Sequence, residues 1–181
     1  MFDCMTDLET LGTCPGSIIL SVGACMYDDY GVGETFYQTI SIDSCKEAFL
    51  SEDPKTVAWW ERQSPAARKV FDDCRNPSVA GTLQAVLTNF NNWLRKHGGV
   101  DVRVWGNGAS FDNALLYSAY DAAKIRPGWK FFNDRCYRTI KSLAPEIILV
   151  REGTYHNAVD DAISQAKHHI AVNDKLGIKL A

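Results

Sequence analysis

Four carboxylates and one imidazole fall in three short clusters far apart in this chain: Asp7 and Glu9 within Asp7-Leu8-Glu9-Thr10, Asp112 within Phe111-Asp112-Asn113, and His156 with Asp161. Carboxylate oxygens are hard ligands suited to Mg²⁺ or Mn²⁺. An imidazole titrates near neutral pH and can take a proton from water. Together these groups are the equipment of a two-metal phosphodiesterase. Asp7 and Glu9, two apart on a strand, leave the same face with α-carbons roughly 6.5 to 7 Å apart, a spacing that lets them bracket cations held about 3.5 to 4 Å from each other. Taken singly, each acid also has a plain structural explanation, as a solvent-facing strand end or a residue favoured by a helix dipole. The order and context of the three clusters carry the chemical reading.

The elements that must position these residues can be read from hydrophobic pattern. Phe2 to Thr10, Ser17 to Tyr27 and Glu34 to Ile42 read as strands of a meander, with a turn at Asp28-Asp29-Tyr30-Gly31. Helices follow at Pro54 to Arg62, at Ala66 to Phe71 behind Ser64-Pro65, and from a cap at Ser78 to Gly98, the last with Val79, Leu83, Val86, Leu87, Phe90, Trp93 and Leu94 as its core stripe. Val100 to Trp105 reads as a buried strand, and Ser110 as the cap of a helix to about Tyr120. Between them Gly106-Asn107-Gly108 lacks both the Walker lysine and the full G-x-G-x-x-G pattern, so it is a turn and not a phosphate cradle.

A strand near Trp129 to Phe132, a helix around Tyr137 to Leu143 and a last helix from about Ala158 to Lys175 complete the series. Strands followed by alternating helices and strands indicate an α/β sandwich with a mixed sheet. In such a fold Asp112 is aimed into the cleft above the sheet edge, where ligands gather. His156 and Asp161, five apart, would diverge by about 140° on one helix. They converge only if His156 precedes the helix, which Gly153 and the weakly patterned stretch 152–157 permit. His168 and His169 are assigned to the helix surface.

The chain has 181 residues and is 46% hydrophobic, enough for a full core, so a single domain over 1–181 is expected. Its N-terminus lacks a basic region followed by an apolar run, and no apolar stretch reaches about 18 residues, so a soluble, cytoplasmic protein with no membrane partner is expected. Six cysteines show no C-x-x-C pair and suggest neither a zinc knuckle nor a disulfide framework. Several read as small core residues in a reducing cytosol. A net charge of −3 argues against a protein that coats long nucleic acid, though not against one that grips a few nucleotides at an end.

In order, Thr6-Asp7-Leu8-Glu9-Thr10, Trp105-Gly106-Asn107-Gly108-Ala109-Ser110-Phe111-Asp112-Asn113 and His156-Asn157-Ala158-Val159-Asp160-Asp161-Ala162 resemble the three exonuclease motifs of the DEDD superfamily, histidine branch. Trp59-Trp60-Glu61-Arg62-Gln63-Ser64, and Asn133-Asp134-Arg135 followed by Arg138-Thr139-Ile140, resemble segments of its phage and prophage exodeoxyribonuclease VIII-like members and of mycobacterial-type 3'-5' exoribonucleases. Thr6 departs from the apolar residue more usual there, and Cys136-Tyr137 interrupts the second segment differently from many relatives. The resemblance implies a ribonuclease H-like fold, a mixed sheet with helices on both faces, and release of nucleoside 5'-monophosphates from 3' ends. It implies two Mg²⁺ or Mn²⁺ on Asp7, Glu9, Asp112 and Asp161, with His156 as general base.

The same resemblance places Thr10 and Leu11 at the terminal nucleotide. Asn107, Asn113, Trp59 and Arg135 are the other candidate substrate contacts. Trp59 and Trp60 diverge by about 100° on a helix, so at least one is expected in the core. Lys124, Arg126, Lys130, Arg135, Arg138 and Lys141 form the most basic stretch, with phosphate contact and a solvated surface as its two readings. The expected partner is a single-stranded 3' end, DNA or RNA, and a homodimer is consistent with relatives. A non-catalytic nucleic-acid-binding module of the same fold is the remaining alternative.

Overall fold

The computed structural model describes residues 2–179; Met1, Leu180 and Ala181, and with them the outer limits of the expected domain, lie outside the described residues. Three strands open the chain: β1 (Asp3–Thr10), β2 (Ile19–Asp28) and β3 (Gly31–Thr39). Four helices follow, α1 (Ile42–Glu47), α2 (Pro54–Trp60), α3 (Pro65–Arg75) and α4 (Leu83–Gly98). Then come β4 (Arg103–Gly106), α5 (Asp112–Ala122), β5 (Asp134–Cys136), α6 (Tyr137–Lys141) and α7 (Ala158–Leu176). The sheet order is β3-β2-β1-β4-β5. β1 is antiparallel to β2 and parallel to β4, and β4 is parallel to β5, so the sheet is mixed.

Side-chain alternation along the strands divides the interior in two. Cys4, Leu8, Val22, Ala24, Met26 and Val104 face a large core shared with α1, α3, α4 and α5. Met5, Cys25, Tyr27 and Trp105 face the other way, toward Tyr137 of α6 and Ala162 and Ala166 of α7. Asp7 and Glu9 share the odd-numbered face with Met5. Helices therefore cover both faces, and the acidic pair lies under α7.

Several boundaries differ from the sequence reading for local reasons. The third strand stops at Thr39, and Ile42 instead starts α1 because Ser41 Oγ accepts from the Ser44 amide at 3.3 Å. α4 is capped by Thr82, whose Oγ1 accepts from Ala85 N at 3.2 Å; Ser78 lies before it and Val79 is exposed. Ser110 does not cap α5, whose N-cap is Phe111 with no side-chain hydrogen bond. The strand expected at Trp129 to Phe132 is a short 3₁₀ turn at Phe131–Asn133, with β5 beginning at Asp134. Trp129 is instead a buried anchor, donating Nε1 to Asp134 Oδ1 at 2.8 Å, while Phe131 and Phe132 are exposed.

His168 and His169 are buried, not on the helix surface. His168 Nε2 meets the Ile147 carbonyl at 2.8 Å and its Nδ1 meets the Tyr137 hydroxyl at 2.8 Å. A carbonyl only accepts, so Nε2 carries a proton and donates to it. His169 Nδ1 pairs with Tyr27 Oη at 2.7 Å, and its ring centroid lies 4.3 Å from that of Trp105. Burial pushes its pKa down to about 4. The surface assignment failed because α7 is pressed between the sheet and the segment leading to it, so more than one stripe is covered.

Two glycines set how closely helices approach the strands that carry the acids. Gly23 lies opposite Asp7 in the β1–β2 ladder. A Cβ there would stand 2.1 Å from the Ala158 carbonyl carbon and 2.2 Å from Val159 N, both backbone atoms of α7. At Gly106 a Cβ would stand 2.4 Å from Asn113 Oδ1 and 2.8 Å from Asp112 Cβ. Because the Gly23 obstruction is backbone, Gly23→Ala should cost about 1–3 kcal/mol, the usual range for overpacking, read as a shift of the urea midpoint at constant slope.

Candidate active site

Asp7 and Glu9 project from the C-terminal half of β1 on one face, as their spacing requires. Asp112 is the first residue of α5, brought against β4 by Gly106, and is 1% exposed. Asp161 sits in the first turn of α7, which Asn157 caps by accepting from Val159 N at 3.2 Å and Asp160 N at 3.3 Å. His156 precedes that cap and not the helix interior. Its backbone takes a left-handed φ of 62°, costly for a non-glycine residue, and its amide donates to Asp161 Oδ2 at 3.1 Å. Strain of this kind persists where surrounding contacts fix it, and here rings do so. The His156 ring lies 4.9 Å from Trp59, 5.9 Å from Trp60 and 4.0 Å from Tyr155, centroid to centroid.

Candidate ligand atoms of Glu9, His156 and Asp161 all lie within 4.8 Å of one another. Asp7 and Asp112 adjoin this trio closely enough to act on it electrostatically. Burial pushes the Glu9 carboxyl up to about 8, with Asp161 and Asp112 adding to the rise and Arg151 opposing it. Asp7 is raised well above the usual range by burial and then by Asp112, Glu9 and Asp161, while the Gln165 amide, donating to Asp7 Oδ1 at 2.7 Å, pulls it back. Asp112 rises to about 7 through burial, opposed by backbone hydrogen bonds from Asp112 itself, Asn107 and Leu8 and by Arg138. Asp161 is raised by burial against the pull of Arg151. Burial lowers the His156 pKa, opposed by the Asp161 charge, with Arg151 adding to the fall.

Buried like charges repel unless a cation joins them. Asp112 Oδ2 is buried and without a hydrogen-bond partner among the described residues. An orphaned carboxylate oxygen among four mutually repelling carboxylates fits hard divalent cations, for which oxygen donors are the preferred ligands. Neighbouring Asp160 is otherwise employed: it accepts from Thr154 N at 2.7 Å, and a Cβ on Gly153 would collide with it.

A cleft of about 440 Å³, lined by Glu9, Thr10, Thr13, Asp53, Lys55, Trp59 and Phe111 among others, opens beside Glu9. The other candidate substrate residues divide around it. Thr10 and both tryptophans line the cleft; Trp60, otherwise buried, is also the core member of the pair and donates Nε1 to the Thr10 carbonyl at 2.8 Å. Leu11 is not at the cleft but packed in the larger core. Asn113 is turned inward, donating to Val104 O at 3.2 Å and Asp134 Oδ1 at 2.9 Å, and so ties α5 to the sheet. Arg135 donates to the carbonyls of Phe132 and Asp134 at 3.0 and 2.9 Å, which occupies its guanidinium on its own turn. Asn107 offers its carbonyl to the exposed Arg138 at 2.7 Å.

Three site residues escaped the sequence reading. Gln165 stands four residues after Asp161, a helical spacing that could have shown it. Phe111 was legible only as part of a motif, and Arg151, in an irregular segment, has no spacing signal at all. Its Nη1 donates to Asp161 Oδ1.

A mixed five-stranded sheet with helices on both faces and an acidic cluster beside it defines a ribonuclease H-like nuclease fold, here that of a 3'-5' exonuclease. More narrowly, the chain belongs to the 3'-5' exoribonuclease Rv2179c-like domain family, whose profile matches residues 3–172. It is 27% identical to an exodeoxyribonuclease of Enterobacteria phage T4 over 212 aligned positions, which take in 100% of this chain and 89% of that protein. The fold is similar to the nuclease domain of 3'hExo, a DEDDh family member bound to rAMP, with a TM-score of 0.63, 16% identity and coverage of 99% of this chain and 94% of the other. It is also similar to S. pombe Pop2p in its Mg²⁺- and Mn²⁺-bound form, with a TM-score of 0.60, 15% identity and coverage of 96% and 83%. At these identities the structural matches establish the fold.

The raised carboxylates give the metal-free protein a pH signature. Unfolded carboxyls titrate near about 4, so between there and about 8 the folded state binds the extra protons and stability falls as pH rises. Below about 6.5 His169 works in the opposite sense, its pKa being lowered on folding. In EDTA, urea midpoints should therefore fall between about pH 6.5 and 8, and Asp7→Asn should make that slope shallower by removing one of the repelling charges. Mn²⁺ should do the same for the wild type.

Proposed function

We propose that the protein hydrolyses the terminal phosphodiester at the 3' end of single-stranded nucleic acid, DNA by first preference, releasing nucleoside 5'-monophosphates with two Mg²⁺ or Mn²⁺ ions. The convergence of Asp7, Glu9, Asp112 and Asp161 beside a cleft that Glu9 itself lines carries this reading. Bound there, the ions would lower the pKa of the attacking water and stabilise the leaving oxygen. Asp7, Glu9, Asp112 and Asp161 would hold them, Gln165 orienting Asp7 and the His156 amide orienting Asp161. The cleft is of a size typical of small-molecule sites, and it would take the terminal nucleotide between Trp59 and Phe111, with Glu9 and Thr10 at the sugar.

His156 would accept the proton of the attacking water. Burial shifts it toward the uncharged form a base needs, and its ring packs against Trp59 at the edge of the cleft on a strained backbone. Donor atoms of Glu9 and Asp161 are near enough that a ligand role for His156 is the competing assignment. Sequence similarity to a phage exodeoxyribonuclease across the whole chain supports DNA. RNA is the second reading, favoured by the description of the matching family.

Two measurements test this. With 5'-labelled DNA and RNA of one sequence, Mn²⁺ should produce a ladder that shortens from the 3' end, faster on DNA, and EDTA or Asp7→Ala should abolish it. A faster RNA ladder would reverse the sugar preference, and no cleavage of either strand would leave a binding module as the better account. His156→Gln should lower kcat by about 10²-fold or more while Mn²⁺ affinity stays within about twofold, as for a general base. Loss of Mn²⁺ binding in that variant would make His156 a ligand.

A further inference from the structure

We propose that Arg151 is a displaceable counter-cation of the metal site: it neutralises Asp161 until a divalent ion takes that carboxylate, and metal binding exchanges one cation for the other. The proposal rests on the metal reading given above. It starts from how the two oxygens of Asp161 are occupied. Oδ2 accepts from a backbone donor, the His156 amide at 3.1 Å, which cannot leave without unwinding the approach to α7. Oδ1 is paired with Arg151 Nη1, at the end of a long side chain that is 40% exposed. A hard cation that needs Asp161 therefore competes with the guanidinium and leaves the amide in place.

Arg151 is built to move without moving its backbone. The segment that carries it is pinned on α7 just beyond it: Glu152 N donates to Ser164 Oγ at 3.0 Å and Thr154 N to Asp160 Oδ2 at 2.7 Å, with Lys167 and Glu152 paired at 2.5 Å. These contacts hold the segment whether or not Arg151 touches Asp161. The guanidinium carbon lies 4.3 Å from the centroid of the half-exposed Tyr155 ring, a cation–π seat at the mouth of the site that it keeps after releasing the carboxylate. Arginine suits the task because it cannot lose its charge and so balances the acids at any working pH. An arginine whose only role was to fasten the segment would have no reason to point at a carboxylate the ions require.

The test is metal affinity and not turnover. Free Mn²⁺ is titrated by its paramagnetic resonance signal against wild type, Arg151→Ala, Arg151→Lys and Asp7→Asn. Arg151→Ala should bind Mn²⁺ about two- to fivefold more tightly, the size of a partly exposed ion pair, with Arg151→Lys between it and wild type. In EDTA the alanine variant should melt lower than wild type, and at saturating Mn²⁺ the two should coincide. Equal or weaker Mn²⁺ affinity in Arg151→Ala overturns the proposal and leaves the metal site standing. Should the alanine variant fail to fold, equal affinity in Arg151→Lys has the same force. Wild-type binding that is absent, or that Asp7→Asn does not reduce, overturns the metal reading itself and this proposal with it.

Discussion

The close seating of the N-terminus of α7 on β2 is the contact on which the site depends. Asp161 and His156 are separated from Asp7 by roughly 150 residues of chain, and this contact, with the packing of α7 on β1 itself, brings them together. It is possible because Gly23, opposite Asp7, has no side chain where the backbone of Ala158 and Val159 lies. Asn157 then caps the helix, its first turn presents Asp161, and the chain before it is bent through the left-handed His156 so that amide and ring both face the acids. Gly106 does the same for Asp112 on the other side. Two missing methyl groups thus set the depth of the cluster.

That depth has an electrostatic cost. Burial raises the pKa of all four carboxylates, most of all where neighbouring acids add to it at Asp7 and Glu9, and the fold opposes this with the Gln165 amide on Asp7, backbone amides on Asp112 and Asp161, and Arg151. A divalent ion bound there, as proposed, would relieve this stress, and folding and cation binding would then be coupled through the same residues. The large core behind the sheet has to hold the frame against this repulsion. Its aromatic packing around Trp60, whose indole Nε1 is fixed to the Thr10 carbonyl, also sets the wall that Trp59 presents to the cleft.

Legibility differed between elements for identifiable reasons. The first two strands are largely apolar runs of strand length buried on both faces, and most helix starts carry a side-chain cap that can be read from residue type. Trp129 to Phe132 misled because an apolar aromatic run suits a strand, yet Trp129 is claimed by Asp134 and the two phenylalanines face solvent. His168 and His169 misled because polar residues on a helix default to solvent unless a hydroxyl and a carbonyl wait for them, and those partners lie at 27, 137 and 147. Leu11 and Asn113 sit in motifs, so sequence adjacency to the acids suggested substrate contact where the fold uses them for packing.

By itself the sequence determined the fold class, the five candidate site residues and the chemistry their side chains can perform, because strand and helix periods are local and residue types limit which ligands and bases are available. The tertiary structure decided which neighbours those residues meet: Gln165 on Asp7, Arg151 on Asp161, Trp60 rather than Trp59 in the core, and a strained His156 facing inward. These are matters of angle and distance between segments far apart in the chain. Backbone approach at Gly23 and Gly106 fixes them, and spacing along a sequence does not encode such an approach.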